Sequence, residues 1–281
     1  MKSHMYIKIK TVRLFIVEKI SALGKQRWRR RMIILNERAE AERIIETGNV
    51  GEKPSETLLL LARYYYNVEK LTGKKIYNKL NEFMQNNYPK YDPKLWEATL
   101  QNKVKKADKY PLTEINDVVI TRAEMETIKN LKSPPLERLA FTLLCLAKFG
   151  DKRNINNNGW VCRSHDEIFK IAAVPATIKK QAAMLNSLYR AGLIGFSMKV
   201  TNTNIQVLYI QEESYMAIRI SDFRELGHEY MNYLGKHKYI RCAECGRLTK
   251  CKGNARTKYC KNCSVKVNIE QTRMRKLQDK A

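Results

Sequence analysis

Hydrophobic residues recur at helical intervals through the N-terminal part of the chain. The spacing predicts four helices, over residues 36–47, 53–73, 74–88 and a stretch that opens at Asp92. Asn36, Ser55 and Asp92 are the candidate caps, because their side-chain oxygens can accept the unpaired N–H groups of a first turn. Gly48 and Gly73 are the predicted stops, since glycine commonly ends a helix.

A different succession of elements follows a proline-containing turn at 133–135. The pattern predicts an apolar helix ended by Gly150, a strand at 159–163, a helix capped by Ser164, a helix that opens near Pro175, and two strands about a turn at 201–204. Helix, strand, helix, helix and hairpin in this order are typical of a winged helix-turn-helix. The sequence therefore predicts a mainly α fold that contains a winged helix.

The helix predicted over 175–191 divides into two faces. One is an apolar stripe expected to pack inward, made of Ile178, Ala182, Leu185, Leu188 and Tyr189. The other presents cations and an amide, and Lys199 is expected on the wing; the candidate contacts are Lys179, Lys180, Asn186, Arg190 and Lys199. Such groups suit phosphates and base edges, which favours a recognition helix. A winged helix used only for packing or for protein contact is the alternative.

The whole chain is predicted to have four parts. These are a basic N-terminal extension, a helical domain, the winged-helix domain, and a zinc ribbon with a basic tail helix, over 1–31, 32–132, 133–235 and 236–281. Thr121 and Glu124 have the spacing of a capping box near the second boundary. Met32 opens a stretch typical of a natural start, which predicts that the residues before it are an upstream extension.

The formal net charge of +25 concerns partners rather than fold. Residues 1–31 carry +9 and residues 236–281 carry +11, whereas the rest carries only +5. A charge needed only for solubility has no reason to collect at the ends, so the distribution favours nucleic acid as partner. An anionic membrane surface is the alternative for the N-terminal segment, whose apolar run is too short to span a bilayer.

Five of the seven cysteines lie within residues 241–263. Cys242 and Cys245 form one C-x-x-C pair, and Cys260 and Cys263 form another, with fourteen residues between the pairs. Paired knuckles at this spacing are typical of a four-cysteine zinc site, and a disulfide or redox pair is the alternative. Four thiolates leave no open position for water, so the predicted zinc is structural rather than catalytic.

The cysteine-rich segment is also rich in cations. A structural zinc would hold them on a rigid surface, and the candidate nucleic-acid contacts are Arg247, Lys250, Lys252, Arg256 and Lys258. A zinc ribbon that only stabilises a protein contact is the alternative. Cys251 is not expected to be a ligand, although it could replace one. The other two cysteines suggest no disulfide framework, and no secretion signal is present, so the cytoplasm of a bacterial host is the expected location.

Four segments together resemble an uncharacterised protein family from phages, prophages and integrative elements of Firmicutes. They are "LNERAEAERIIETGNVGEKPSETLLLLARYYY", "LERLAFTLLCLAKFGDKRNINNNGW", "ISDFRELGHEYMNYLG" and "YIRCAECG". The resemblance covers roughly residues 32–265 and implies no particular activity.

The sequence contains no P-loop, nucleophile elbow, paired-carboxylate motif or dinucleotide-binding loop. The leading hypothesis is therefore a non-enzymatic, double-stranded-DNA-binding protein of a mobile element, acting in transcription or replication control. The alternative is an interaction protein that binds host machinery, such as RNA polymerase or a defence system. A nuclease is the third hypothesis.

Overall fold

The computed structural model describes residues 33–51, 53–198, 203–211, 214–235, 238–251 and 257–278, and this part of the chain is mainly helical. Its helices are α1 (Glu37–Thr47), α2 (Pro54–Asn67), α3 (Gly73–Asn87), α4 (Pro93–Val104), α5 (Arg122–Lys129), α6 (Pro134–Arg153), α7 (His165–Ile171), α8 (Ile178–Arg190), α9 (Leu226–Tyr233) and α10 (Lys261–Gln278). Its strands are β1 (Val118–Thr121), β2 (Trp160–Val161), β3 (Ile194–Phe196), β4 (Ile205–Val207), β5 (Met216–Ile220), β6 (Tyr239–Arg241) and β7 (Leu248–Lys250). No described helix is long and apolar enough to cross a membrane. The basic extension predicted over 1–31 lies outside the described residues.

Helices α1 to α4 enclose one hydrophobic core. Leu58 and Leu61 of α2, Leu80 of α3 and Leu100 of α4 are fully buried in it. The predicted caps Asn36 and Asp92 are confirmed, and each accepts a backbone N–H of the first turn of its helix. Most aromatic residues of this region take part in the same core, as their helical spacing favours, whereas Tyr66 and Tyr110 are exposed.

Arg63 of α2 connects this core to the loop that follows α4. Its buried guanidinium donates to both carboxylate oxygens of Glu37 at 2.7 Å and to the carbonyl oxygens of Tyr110 and Pro111. Burial tends to raise the pKa of Glu37, but the hydrogen bonds from Arg63 and Thr113 outweigh it and lower the pKa. The paired charges are therefore structural, because each buried group has its partners.

The predicted cap at Ser55 and the predicted stop at Gly73 are wrong. Pro54 occupies the first helical position of α2, where a missing N–H has no cost, so Lys53 takes the cap position. The chain reverses at Lys70, whose φ is 56°, and Gly73 then opens α3. Because a lysine and not a glycine adopts the left-handed conformation here, the positions of the glycines do not predict where α2 ends.

The predicted stop at Gly150 and the predicted helix start near Pro175 are also wrong. A Cβ on Gly150 would lie 2.6 Å from the side-chain nitrogen of Asn157, so this glycine allows a close approach inside α6. Helix α8 begins three residues after Pro175, because Thr177 caps it by accepting the N–H of Lys180.

The second core surrounds α6, in which every residue from Leu139 to Phe149 is buried. It includes buried side chains from α5, α7, α8 and α9 and from strands β1 to β5. β4 lies between β2 and β3 and pairs antiparallel with both, so these strands form a sheet of order β2-β4-β3. The hairpin predicted from the sequence is thus confirmed as β3 paired with β4.

Strands β1 and β5 pair antiparallel, although no local pattern in the sequence predicts this pairing. The predicted capping box of Thr121 and Glu124 is confirmed where β1 runs into α5. Glu124 is fully buried, and it accepts from Lys148 Nζ at 2.8 Å and from the N–H of Gln211 at 2.9 Å. The ion pair joins α5 to α6 inside the core.

Candidate metal centre and nucleic-acid interface

The first cysteine pair lies in the turn between β6 and β7. The N–H of Cys242 donates to Arg247 O at 3.0 Å, and the N–H of Gly246 donates to Cys242 O at 2.8 Å. Gly246 has a φ of 69°, which glycine adopts without a Cβ penalty. The tight turn after Cys245 therefore depends on the glycine, and the backbone holds both thiols on one side of the hairpin.

The second cysteine pair lies at the start of α10. Cys260 precedes the helix, Cys263 lies in its first turn, and the N–H of Cys263 points to Cys260 Sγ at 3.5 Å. The N–H of Ala243 donates to Lys258 O at 3.0 Å, which joins the two pairs through the backbone. A two-residue spacing at a helix start places both thiols at one end of the helix.

The four sulfurs form one compact group. All Sγ atoms lie within 4.8 Å of one another, and those of Cys245 and Cys260 are 3.8 Å apart. Tetrahedral coordination at about 2.3 Å requires sulfur–sulfur distances of about 3.8 Å. Cys242, Cys260 and Cys263 are buried. The arrangement can therefore bind a metal ion and is compatible with zinc. The candidate ligands are the four predicted cysteines, and Cys251 lies outside the group.

The electrostatics of the cluster favour a cation among the sulfurs. Burial disfavours the Cys242 thiolate, but backbone hydrogen bonds more than offset that effect and lower its pKa to about 6. For Cys263, burial and the neighbouring sulfurs raise the pKa well above the ordinary range. Four thiolates at these distances repel one another, so a bound cation stabilises the charged form of the group.

Three arginines connect the cysteine segment to α9 and to the residues before α9 through ion pairs and a hydrogen bond. Arg224 pairs with Asp222 at 2.7 Å and donates to the carbonyl oxygen of Cys245 at 2.8 Å. Two further ion pairs lead from the hairpin to α9 and its cap, Arg241 to Glu229 at 3.1 Å and Arg247 to Glu225 at 3.6 Å. In the sequence, the spacing of Asp222, Glu225 and Glu229 is the available signal for this contact, but it does not specify the arginines that pair with them.

The predicted cations of the cysteine segment differ in their surroundings. Arg247 faces Glu225, so an acid of the same chain offsets its charge. Lys250 and Lys258 are exposed, as a contact with a polyanion requires. Lys252 and Arg256 lie outside the described residues.

Helix α8 presents its predicted polar face to solvent. Lys179, Lys180, Asn186 and Arg190 are all exposed. Asn186 lies seven residues after Lys179 and four before Arg190, so these three residues share one side of the helix. Within the part of the chain that the structure describes, these cations form no ion pair with an acid. Lys199, expected on the wing, lies outside the described residues.

The apolar stripe predicted for α8 is wrong in part. Leu185 and Leu188 are buried, whereas Ile178 is 73% exposed and Tyr189 is 52% exposed. The remaining inward positions belong to Met184 and Gln181. The Gln181 side-chain nitrogen donates to Asp166 Oδ1 at 3.0 Å and to Ala176 O at 3.2 Å, which is how a polar residue takes a buried place.

The stretch of chain that contains α8 carries one sign of charge. No acidic residue occurs between Glu167 and Glu212, while this stretch contains five cations, Lys170, Lys179, Lys180, Arg190 and Lys199. A helix face with exposed cations and without acids attracts polyanions over a Debye length of about 8–10 Å.

No protein-family model, curated protein or solved structure matches this chain. The resemblance to a protein family of phages and integrative elements therefore stays a prediction.

Proposed function

We propose that this protein binds nucleic acid, double-stranded DNA in particular, and does so without enzymatic activity. The observation that carries the proposal is the outer face of α8, where Lys179, Asn186 and Arg190 are exposed together on a helix that contains no acidic residue. Cations supply sequence-independent affinity for phosphates, and amide and guanidinium groups can read base edges. The same face would therefore both bind the phosphate backbone and distinguish base sequences.

The arrangement of elements around α8 supports a winged helix. The order is α6, β2, α7, α8 and the β3–β4 hairpin, and the strands lie in the order β2-β4-β3. In such a fold the last helix lies in the major groove and the hairpin lies beside it. Helix α8 is then the recognition helix.

The four-cysteine group supports a structural zinc ion in a ribbon-like C-terminal unit. Zinc suits a closed set of four thiolates, and the β6–β7 hairpin followed by α10 brings both pairs to one point. When bound, the ion would fix the fold of a segment that has little core of its own. Lys250 and Lys258 would then be held as a second cationic surface.

The resemblance noted in the sequence supports a mobile-element origin but no particular activity. The proposed role in transcription or replication control comes from the proposed duplex binding. Transcription control requires sequence readout, whereas a packaging role needs only charge. The groups on α8 that can read bases favour the former.

The test measures duplex binding of the whole chain by fluorescence anisotropy at several salt concentrations. Lys179→Ala with Lys180→Ala removes the adjacent lysines of the first turn of α8. Lys74→Ala with Lys75→Ala is the matched control, because it removes an equally exposed pair from the first turn of α3. We expect the α8 variant to bind more weakly at low salt and the α3 variant to bind as the unchanged protein does. Equal behaviour of the two variants would contradict the proposal.

A second candidate function, docking on host machinery, is favoured by α10. Val265, Ile269 and Met274 are 54%, 63% and 51% exposed on this helix. Exposed apolar side chains among cations fit a protein groove with an acidic rim. If the α8 variants leave duplex binding unchanged while Ile269→Asp abolishes co-purification of a host protein, this second function is the better one.

A further inference from the structure

An aromatic pair lies at the edge of α8, where the helix meets β3. Tyr189 is 52% exposed and Phe196 is 41% exposed, and their ring centroids lie 5.5 Å apart with an interplanar angle of 32°. The two rings contact each other and still present apolar surface to solvent. Exposed rings at the border of a cationic face are the kind of apolar surface that marks a binding site.

The residues beside Tyr189 offer what one unpaired nucleotide requires. Asn186 lies three residues before Tyr189, so their side chains are neighbours on the helix surface, and Arg190 lies four residues after Asn186. A ring face can stack on a base, an amide can hydrogen-bond to the base edge, and a guanidinium can bind the adjoining phosphate. These three groups are all exposed on α8.

An intact DNA duplex offers no exposed base face on which the aromatic pair could stack. The faces of paired bases are covered by their neighbours in the stack, so an aromatic ring beside a recognition helix meets only backbone or groove edges. A strand with an unpaired base exposes a π-face that is tolerant of sequence. The exposed cations of α8 are complementary to such a strand in charge.

We propose that Tyr189 and Phe196 form a stacking site for an unpaired DNA base, so that the protein prefers duplexes that carry an unpaired nucleotide or a single-stranded junction. The inference rests on the proposed function, because α8 must first bring the strand to this surface. Tyr189, the more exposed ring, makes the stacking contact, and Phe196 supports it from β3.

The experiment uses the full chain and three labelled probes, namely an intact duplex, the same duplex with one unpaired adenine, and the single strand. We expect the probe with the unpaired adenine to bind about tenfold or more tightly than the intact duplex. Tyr189→Ala should remove this preference and Tyr189→Phe should retain it. Tyr215→Ala, which changes a tyrosine that is 83% exposed outside α8, should leave the preference unchanged.

Tyr189→Leu keeps apolar bulk beside Phe196 and removes the ring, so it decides the question if Tyr189→Ala does not fold. A second readout places 2-aminopurine at the unpaired position, where stacking on Tyr189 quenches its fluorescence. Loss of preference and of quenching in Tyr189→Leu supports the stacking site. A preference that persists in Tyr189→Leu overturns the stacking site and leaves the aromatic pair as a packing contact between α8 and β3.

The two proposals fail in different ways. If all three probes bind equally and binding still needs Lys179 and Lys180, the stacking site is wrong and the proposed function stands. If no probe binds, or if binding does not need those lysines, the proposed function itself is wrong.

Discussion

Gly227 determines how closely α9 approaches the end of α7. A Cβ at this position would lie 1.9 Å from the carbonyl oxygen of Ala172, far inside van der Waals contact. Gly227→Ala must therefore move α9, and we expect the free energy of unfolding to fall by about 1–3 kcal/mol. Urea unfolding followed by circular dichroism measures the change.

The control for this substitution is Gly195→Ala in β3. The nearest atoms to a Cβ at Gly195 lie at 3.9 Å, which is ordinary contact. Its free energy of unfolding should therefore stay within about 1 kcal/mol of the unchanged protein, since only the close approach distinguishes the two sites. Equal free energies of unfolding for the two variants would contradict the prediction. They would mean that α9 can move away from α7 without a loss of stability.

The outer face of α8 should contain both residues that contact phosphates and residues that contact base edges. Asn suits adenine and Arg suits guanine, so Asn186→Ala or Arg190→Ala should cost about 1–3 kcal/mol on a preferred duplex and little on random DNA. Lys179→Ala should weaken both by similar factors, because a lysine near the helix start contacts phosphate. Selection of a preferred site followed by paired affinity measurements gives the comparison. Equal losses on both duplexes in all three variants would mean that α8 does not read sequence.

At the scale of elements, the C-terminal segment should depend on its metal. We expect the purified protein to hold about one zinc per chain by elemental analysis. Cys242→Ser removes a buried ligand, so it should lose the ion and make the segment after residue 238 sensitive to protease. The helices before residue 230 should persist, because the cysteine cluster is separate from the core around α6.

Cys251→Ser is the matched control for the metal site. Cys251 lies just after β7 but outside the group of four sulfurs, and its N–H donates to the carbonyl oxygen of Lys238. The substitution leaves that backbone bond in place, so zinc content and protease resistance should not change. Loss of zinc in this variant would show that Cys251 takes part in coordination.

The sequence predicted those elements whose signals are local. Ligand spacing located the four sulfurs, and helical periodicity located α1, α3 and α4, because both are set by nearby residues. The pairing of β1 with β5 joins residues about a hundred positions apart, and no local pattern specifies it. Gln181 shows the same limit within one helix, since its burial depends on Asp166 of α7.

At the scale of the whole molecule, the charge is not equally available to a partner. Arg224, Arg241 and Arg247 are paired with acids of the same chain. Among the described residues, Lys238, Lys250, Lys258 and the cations of α10 are exposed, so they can exchange counterions for phosphates. The net charge of the sequence therefore overstates the number of groups that can contact DNA in the C-terminal region.

The salt dependence of DNA binding measures how many of the exposed cations contact phosphates. Each phosphate neutralised contributes about −0.9 to the slope of log affinity against log salt concentration. Deleting 266–281 removes five cations and two acids and keeps all four cysteines, so the slope should become shallower while any sequence preference and the zinc content stay unchanged. Arg273→Gln with Arg275→Gln and Lys276→Gln tests the charge alone, because glutamine preserves the helix. A slope equal to that of the full chain in both variants would mean that α10 lies away from the DNA and that α8 and the lysines near the metal centre account for the binding.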